Sequence, residues 1–179
     1  MHVLAVEYPG YGVYRTHKAC ENRMKEDTEI AYDYITKRIG LSENDIIVYG
    51  RSIGSGPASH LASKRNPFCL YLMSAYTCIK DVARSMFGAG AISTIVTPFV
   101  IERFRNIDRI KEMKCPVFFL HGQIDNVIPC PHSIELHKNC PTKCMIHTPG
   151  DMDHNYFNIK YDLCAPFKKF IQEIDSTLQ

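Results

Sequence analysis

The sequence has little excess charge of either sign and no long uninterrupted apolar run. Its 179 residues contain 21 Lys and Arg against 19 Asp and Glu, a formal net charge of +2. So small an excess provides no electrostatic footprint for nucleic acid, and we expect no nucleic-acid partner. The most apolar stretch, residues 89–101, is interrupted by glycine, serine, threonine and proline. It therefore falls short of the ~20 apolar residues that a membrane-spanning helix needs.

Internal repeats, low-complexity tracts, linkers and a secretory signal are also not visible. The composition, 45% hydrophobic and 22% charged, excludes disorder as the main state. The length suits one domain, which we assign to residues 1–179, with residues 76–114 as an insertion or cap segment. Because no secretory signal is seen, we expect the eight cysteines to be reduced thiols rather than a disulfide framework.

Short β-rich runs alternate with helical patterns along the chain. This alternation predicts an α/β fold, with a mostly parallel sheet and helices on both faces. The predicted strands are residues 2–8, 45–49, 68–73, 116–120 and 143–147. The predicted helices are residues 24–39, a helix after the glycines at 50–56 that reaches about 64, residues 131–138, and a last helix with an apolar stripe from 163 to 174.

The sharpest local motif is G-x-S-x-G, formed by Gly50, Arg51, Ser52, Ile53 and Gly54. It lies between a predicted strand and a predicted helix, which is the context of a nucleophile elbow. The small glycines would let strand and helix approach, so that the Ser52 hydroxyl is exposed above the sheet. The Ile53 backbone N–H would then face a developing oxyanion. The alternative is a glycine-rich strand-to-helix turn without catalytic function.

A nucleophilic serine needs a base, and the base needs an acid that orients it. Asp125 follows the predicted strand at 116–120, and His154 follows the one at 143–147. The order Ser52, Asp125, His154 is the order that α/β-hydrolase folds use, each residue after a strand. The alternative is a capping aspartate and a surface histidine.

These motifs resemble those of the serine hydrolases of the α/β-hydrolase superfamily. Within that superfamily, the chain is most similar to the alpha/beta-hydrolase-domain 17 group of protein depalmitoylases. The matching stretches are residues 7–12, 49–57, 119–129 and 153–155. The resemblance implies that Ser52 is the nucleophile, His154 the general base and acid, and Asp125 the residue that orients the imidazole. It also implies two-step acyl transfer on an acyl ester or thioester, plausibly an S-palmitoylated protein, without a cofactor.

The sequence departs from this group at its beginning. Members have strands and a glycine-containing loop before the strand predicted here at residues 2–8, and that loop supplies a second oxyanion N–H. We therefore expect an N-terminally shortened α/β-hydrolase fold that lacks the first strands. Its oxyanion site would then have one donor, the Ile53 N–H. The alternative function is a non-catalytic or truncated hydrolase relative that binds a partner or a lipid.

Two weaker patterns concern binding. In this fold the segment 76–114 would overhang the site, so Met86 and Phe87 are candidate contacts for a fatty acyl chain, unless the segment merely covers the sheet. The cysteines and histidines of residues 130–147 match no standard zinc spacing, and we expect no metal. We further expect an acylated protein or a small acyl ester or thioester as substrate, and a monomer. The location would be cytoplasmic, and peripheral contact with a membrane surface is compatible with this interpretation.

Overall fold

Four parallel strands form one sheet in the computed structural model, which describes residues 2–15, 17–87 and 100–175. The strands are β1 (Ile47–Arg51), β2 (Cys69–Met73), β3 (Val117–Leu120) and β4 (Cys144–His147), in the spatial order β1-β2-β3-β4. Each neighbouring pair is parallel. The predicted parallel sheet is therefore confirmed, because every described strand runs in the same direction and their carboxyl ends meet at one edge.

Helices connect and cover the strands. They are α1 (Glu21–Asp33), α2 (Ser55–Lys64), α3 (Ile79–Phe87), α4 (Asn106–Arg109), α5 (Pro131–Lys138) and α6 (Ala165–Asp175). Two π-helical segments extend α1 and precede α6, Tyr34–Arg38 and Ile159–Cys164, and 3₁₀ turns occur at Glu43–Asp45, Ser52–Gly54 and Ile110–Glu112. Within the three described ranges, no helix has the length and apolar character to cross a bilayer.

Alternate residues of the strands face two different apolar layers. Leu72 of β2 and Phe119 of β3 lie in one layer with Leu61 of α2 and Leu136 of α5. Tyr71, the neighbour of Leu72, lies in the other layer, which α6 covers. Because both faces of the central strands are buried, β2 and β3 contain apolar residues without polar alternation. Helices therefore cover both faces, as predicted.

The predicted strand at residues 2–8 is wrong. This segment is extended but belongs to no sheet, and Val3 and Leu4 are 83% and 62% exposed. A strand is stabilised by hydrogen bonds to a neighbour, and the described sheet ends at β1, which pairs with β2 alone. Tyr8, at the end of the segment, packs instead in a small apolar cluster with Tyr76 and Ile128. The segment is thus held at one end by its side chain and not by backbone pairing.

Candidate active site

Ser52 lies on a sharp turn between β1 and α2. Its φ of 53° is in the left-handed region, which a non-glycine residue adopts only when its surroundings enforce it. The close approach of strand and helix explains Gly50, since a β-carbon there would be 2.5 Å from the β-carbon of Ala58. Gly54, the other small residue of the motif, faces the Tyr8 hydroxyl. The structure therefore has the strand–turn–helix geometry predicted for these residues.

Ser52, His154 and Asp125 are brought together at the carboxyl edge of the sheet. The Ser52 Oγ is 3.0 Å from the His154 Nε2, and the His154 Nδ1 is 2.7 Å from the Asp125 Oδ2. With its Nδ1–H donated to the carboxylate, the imidazole has its lone pair on Nε2, where it accepts the serine hydroxyl proton. The three residues follow β1, β3 and β4 in the chain. One hydrogen bond therefore joins Ser52 and His154, which are 102 residues apart in the sequence.

Asp125 is held ionised by hydrogen-bond donors. Its Oδ1 accepts the backbone N–H groups of Val127 and Ile128 at 2.9 and 2.8 Å, and its Oδ2 accepts from His154. Burial opposes ionisation, but the donors of His121, Ile128 and His154 outweigh it and hold the pKa of Asp125 well below its usual range. A carboxylate at this position stabilises the imidazolium that would form when His154 takes a proton.

His121, directly after β3, supports the carboxylate and was not predicted as a site residue. Its side chain is fully buried, and its Nε2–H donates to the Ile128 carbonyl oxygen at 2.7 Å while lying 3.4 Å from the Asp125 Oδ2. Its Nδ1 is 2.7 Å from the Ser133 Oγ. The signal that could have found it is its position directly after a buried strand and four residues before Asp125.

Gly122 fixes the spacing of the two loops that carry the acid and the base. A β-carbon at this position would be 2.0 Å from the carbonyl oxygen of Met152. The loops run side by side here, since the Gln123 N–H donates to the Pro149 oxygen at 2.9 Å and the Ile124 N–H to the Met152 oxygen at 3.3 Å. This contact between distant parts of the chain leaves no pattern in the sequence around residue 122.

Ile53 lies in the 3₁₀ turn that begins at Ser52, and the role of its backbone N–H as oxyanion donor stays a prediction. It belongs to the first turn after Ser52, where the backbone N–H groups of a helix have no partner within the helix. The Ile53 carbonyl oxygen, in the next peptide unit, accepts from the Tyr76 hydroxyl at 3.4 Å. Arg51, the remaining residue of the motif, extends to the loop that carries His154.

Met86, one of the two predicted binding residues, lies apart from the cavity beside His154. Met86 is on α3 and 66% exposed, whereas Phe87 ends α3 with a side chain outside the described part of the structure. A surface cavity of about 350 Å³ adjoins His154, and Met86 is not among the described residues that line it. Its lining consists of Asn126, Val127, Asp153, His154, Asn155 and Tyr156. The assignment of Met86 and Phe87 to an acyl chain stays a prediction.

The cysteines and histidines of residues 130–147 are distributed over α5, β4 and the connection between them. Cys130 and His132 are buried, and His147 ends β4. Among the residues that the structure describes, no three His, Cys, Asp or Glu side chains are grouped so that they could hold a metal ion. All eight cysteines are described, and none forms a disulfide.

Comparison with known proteins places this geometry in a family context. No protein-family model matches the chain. It is 31% identical over 176 residues to Protein bem46 of Schizosaccharomyces pombe, covering 92% of the chain and 58% of that protein. It is 29% identical over 172 residues to the human alpha/beta hydrolase domain-containing protein 17C, covering 94% of the chain and 49% of that protein. The chain thus spans about half the length of the curated relatives it matches.

Solved structures with the same fold include esterases and peptidases. The acetyl xylan esterase of Paenibacillus sp. R4 matches with a TM-score of 0.67 at 15% identity, over 94% of this chain and 60% of that one. Est1E of Butyrivibrio proteoclasticus matches with a TM-score of 0.65 at 19% identity, over 85% of this chain and 69% of that one. At these identities the likeness shows the fold alone. We therefore identify the chain as an α/β-hydrolase-fold protein that resembles the alpha/beta hydrolase domain-containing 17 proteins.

Proposed function

We propose that this chain is a serine hydrolase that cleaves acyl esters or thioesters. The observation that carries the proposal is the continuous hydrogen-bonded chain from Ser52 through His154 to Asp125, with Ser52 on a strained turn. Structural neighbours that are esterases and relatives that are named hydrolases support the same reaction class. The order of the three residues along the chain matches that of this fold.

In the proposed reaction, the Ser52 oxygen attacks the acyl carbonyl carbon while His154 takes the hydroxyl proton. The negative charge on the carbonyl oxygen is stabilised by the Ile53 N–H. When the intermediate collapses, the bond to the leaving group breaks and His154 returns the proton to the departing thiolate or alkoxide. Water, deprotonated by His154, then attacks the acyl-enzyme, and the carboxylic acid leaves with regeneration of the Ser52 hydroxyl.

For the substrate, we propose an acyl group on a protein cysteine, with small esters as alternatives. The cavity beside His154 has a volume of about 350 Å³, at the low end of the ~300–1,000 Å³ typical of ligand pockets. Val127 and Tyr156, 45% and 76% exposed, offer apolar surface to an acyl chain or a leaving group. A protein substrate suits such an open site, because its leaving group extends into solvent.

A non-catalytic relative that binds a partner or a lipid is the competing function, and an oxyanion site with the Ile53 N–H as its one donor would favour it. Loss of one donor typically lowers the rate ~10²–10³-fold. The two functions are separated by treating the purified chain and Ser52→Ala with a fluorophosphonate probe. We expect labelling of the wild type and none of the variant, with p-nitrophenyl acetate hydrolysis lost in parallel. A folded wild-type chain that is not labelled would contradict the hydrolase.

A further inference from the structure

Arg51 connects the nucleophile strand to the loop that carries the base. Its Nη2 donates to the backbone carbonyl oxygen of His154 at 2.5 Å and to the Oδ1 of Asn155 at 3.0 Å. Its guanidinium carbon is 5.6 Å from the centre of the Phe157 ring, a distance at which a cation and an aromatic face attract. These contacts reach three positions within residues 154–157. They therefore constrain both the distance and the orientation of this segment.

Apart from the bond between His154 and Ser52, the other hydrogen bonds of this loop join it to the loop that carries Asp125 or shape its turn, and they do not reach the strand that carries Ser52. The Oδ1 of Asp153 accepts the N–H groups of Asn155 and Tyr156 at 2.7 and 2.6 Å. These bonds join residues two and three positions apart, so they would persist if the whole turn moved. The strand that precedes the loop, β4, is at the edge of the described sheet and is half-buried along its length.

We propose that Arg51 is a positioning residue, which holds the His154 loop against the nucleophile strand and keeps the His154 Nε2 within hydrogen-bond reach of the Ser52 Oγ. This inference rests on the proposed hydrolase function. Arg51 directly precedes Ser52 in the chain, so one peptide unit joins the nucleophile to the residue that holds the His154 loop. Movement of the elbow would carry the loop with it.

The Nε of the Arg51 guanidinium indicates that this role concerns geometry more than stability. The Nε of Arg51 is buried and has no hydrogen-bond partner among the described residues. A buried donor without a partner is destabilising. The favourable contacts of Arg51 to the loop are thus offset in part by this desolvation. We expect its removal to affect the reaction more strongly than the folding equilibrium.

The test compares Arg51→Met and Arg51→Lys with Arg109→Met, which removes the same charge from the partly exposed ion pair with Glu112. We expect Arg51→Met to lower kcat for p-nitrophenyl acetate and the rate of fluorophosphonate labelling by ~10–100-fold, as a misplaced base would. KM should stay within about twofold, since Arg51 is not among the described residues that line the cavity beside His154. Arg51→Lys should be intermediate, because an ammonium can reach a carbonyl oxygen but does not stack flat on a ring. Arg109→Met should behave as wild type.

Hydrogen exchange of the amides of residues 153–157 provides a readout that does not depend on activity. We expect faster exchange in Arg51→Met than in wild type and in Arg109→Met. If the wild type is labelled, and Arg51→Met is labelled equally fast and shows unchanged exchange, the positioning role is refuted. The proposed hydrolase function is then retained. If the wild type is not labelled, the hydrolase fails. Exchange then still decides the role of Arg51 in the loop: acceleration supports it and unchanged exchange refutes it.

Discussion

Gly122→Ala tests whether the spacing of two loops sets the activity of this site. The added β-carbon would be 2.0 Å from the Met152 carbonyl oxygen, whereas ordinary van der Waals contact begins at 3.4 Å. One loop must therefore move by about 1.4 Å, the difference between these distances. One loop carries Asp125 and the other carries His154, so the movement disturbs their 2.7 Å hydrogen bond. A displacement of ~1 Å at a reacting group can cost ~10²-fold in rate.

The matched control is Gly150→Ala, because a β-carbon at this position has no neighbour within 4 Å. The assays are the rate of fluorophosphonate labelling, kcat/KM for p-nitrophenyl acetate, and the free energy of unfolding in urea. We expect Gly122→Ala to react ~10²-fold more slowly than wild type and to lose ~1–3 kcal/mol of stability. Gly150→Ala should resemble wild type in both respects. A folded Gly122→Ala variant that reacts as fast as Gly150→Ala would refute the reasoning.

Three further predictions concern the carboxylate, the core and the thiols. The folded-state pKa of Asp125 is below the unfolded value of ~3.9, so its stabilising contribution is present above about pH 4 and lost at lower pH. The difference in Tm between wild type and Asp125→Asn should therefore shrink from about pH 7 to about pH 3. A difference in Tm that stays constant would contradict this contribution of Asp125. Phe119→Ala, at a fully buried position, should lose ~3–5 kcal/mol in urea unfolding, whereas Ile124→Ala, 51% exposed, should stay within ~0.5 kcal/mol. In the folded protein, iodoacetamide should modify the exposed Cys164 but not Cys69, whose pKa burial raises to about 12, as mass spectrometry can check.

The sequence predicted the elements whose pattern is local. The apolar runs at 68–73 and 116–120 became β2 and β3, and the predicted helix at 131–138 has the same bounds as α5. These runs are buried on both faces, so apolar content alone identified them. The strand at residues 2–8 failed because a strand requires a partner, and partner choice depends on residues far along the chain. Val3 and Leu4 are apolar but exposed, so their composition alone was misleading.

The residues of the site likewise divide into those that a local sequence pattern predicts and those that it does not. Ser52, Asp125 and His154 could be predicted because each follows a recognisable strand, and parallel strands bring their carboxyl ends together. The contacts of Arg51 with the loop after β4 join residues 103 or more positions apart. The close contact of Gly122 with Met152 also joins two segments that are separate in the sequence. Such contacts depend on the final distance between loops, which no local pattern encodes.

The number of oxyanion donors affects the two assays of this protein differently. Fluorophosphonate labelling needs one attack by Ser52, which uses the hydrogen bond to His154 at 3.0 Å and places negative charge once on an oxygen beside the Ile53 N–H. Ester turnover passes through two oxyanions, one in acylation and one in deacylation, and each depends on the Ile53 N–H. We therefore expect weak oxyanion stabilisation to lower the turnover of esters more than the extent of labelling. Fast labelling with slow turnover would indicate an assembled Ser–His–Asp site with weak oxyanion stabilisation. Failure of both in a folded chain would indicate a binding protein built on a hydrolase fold.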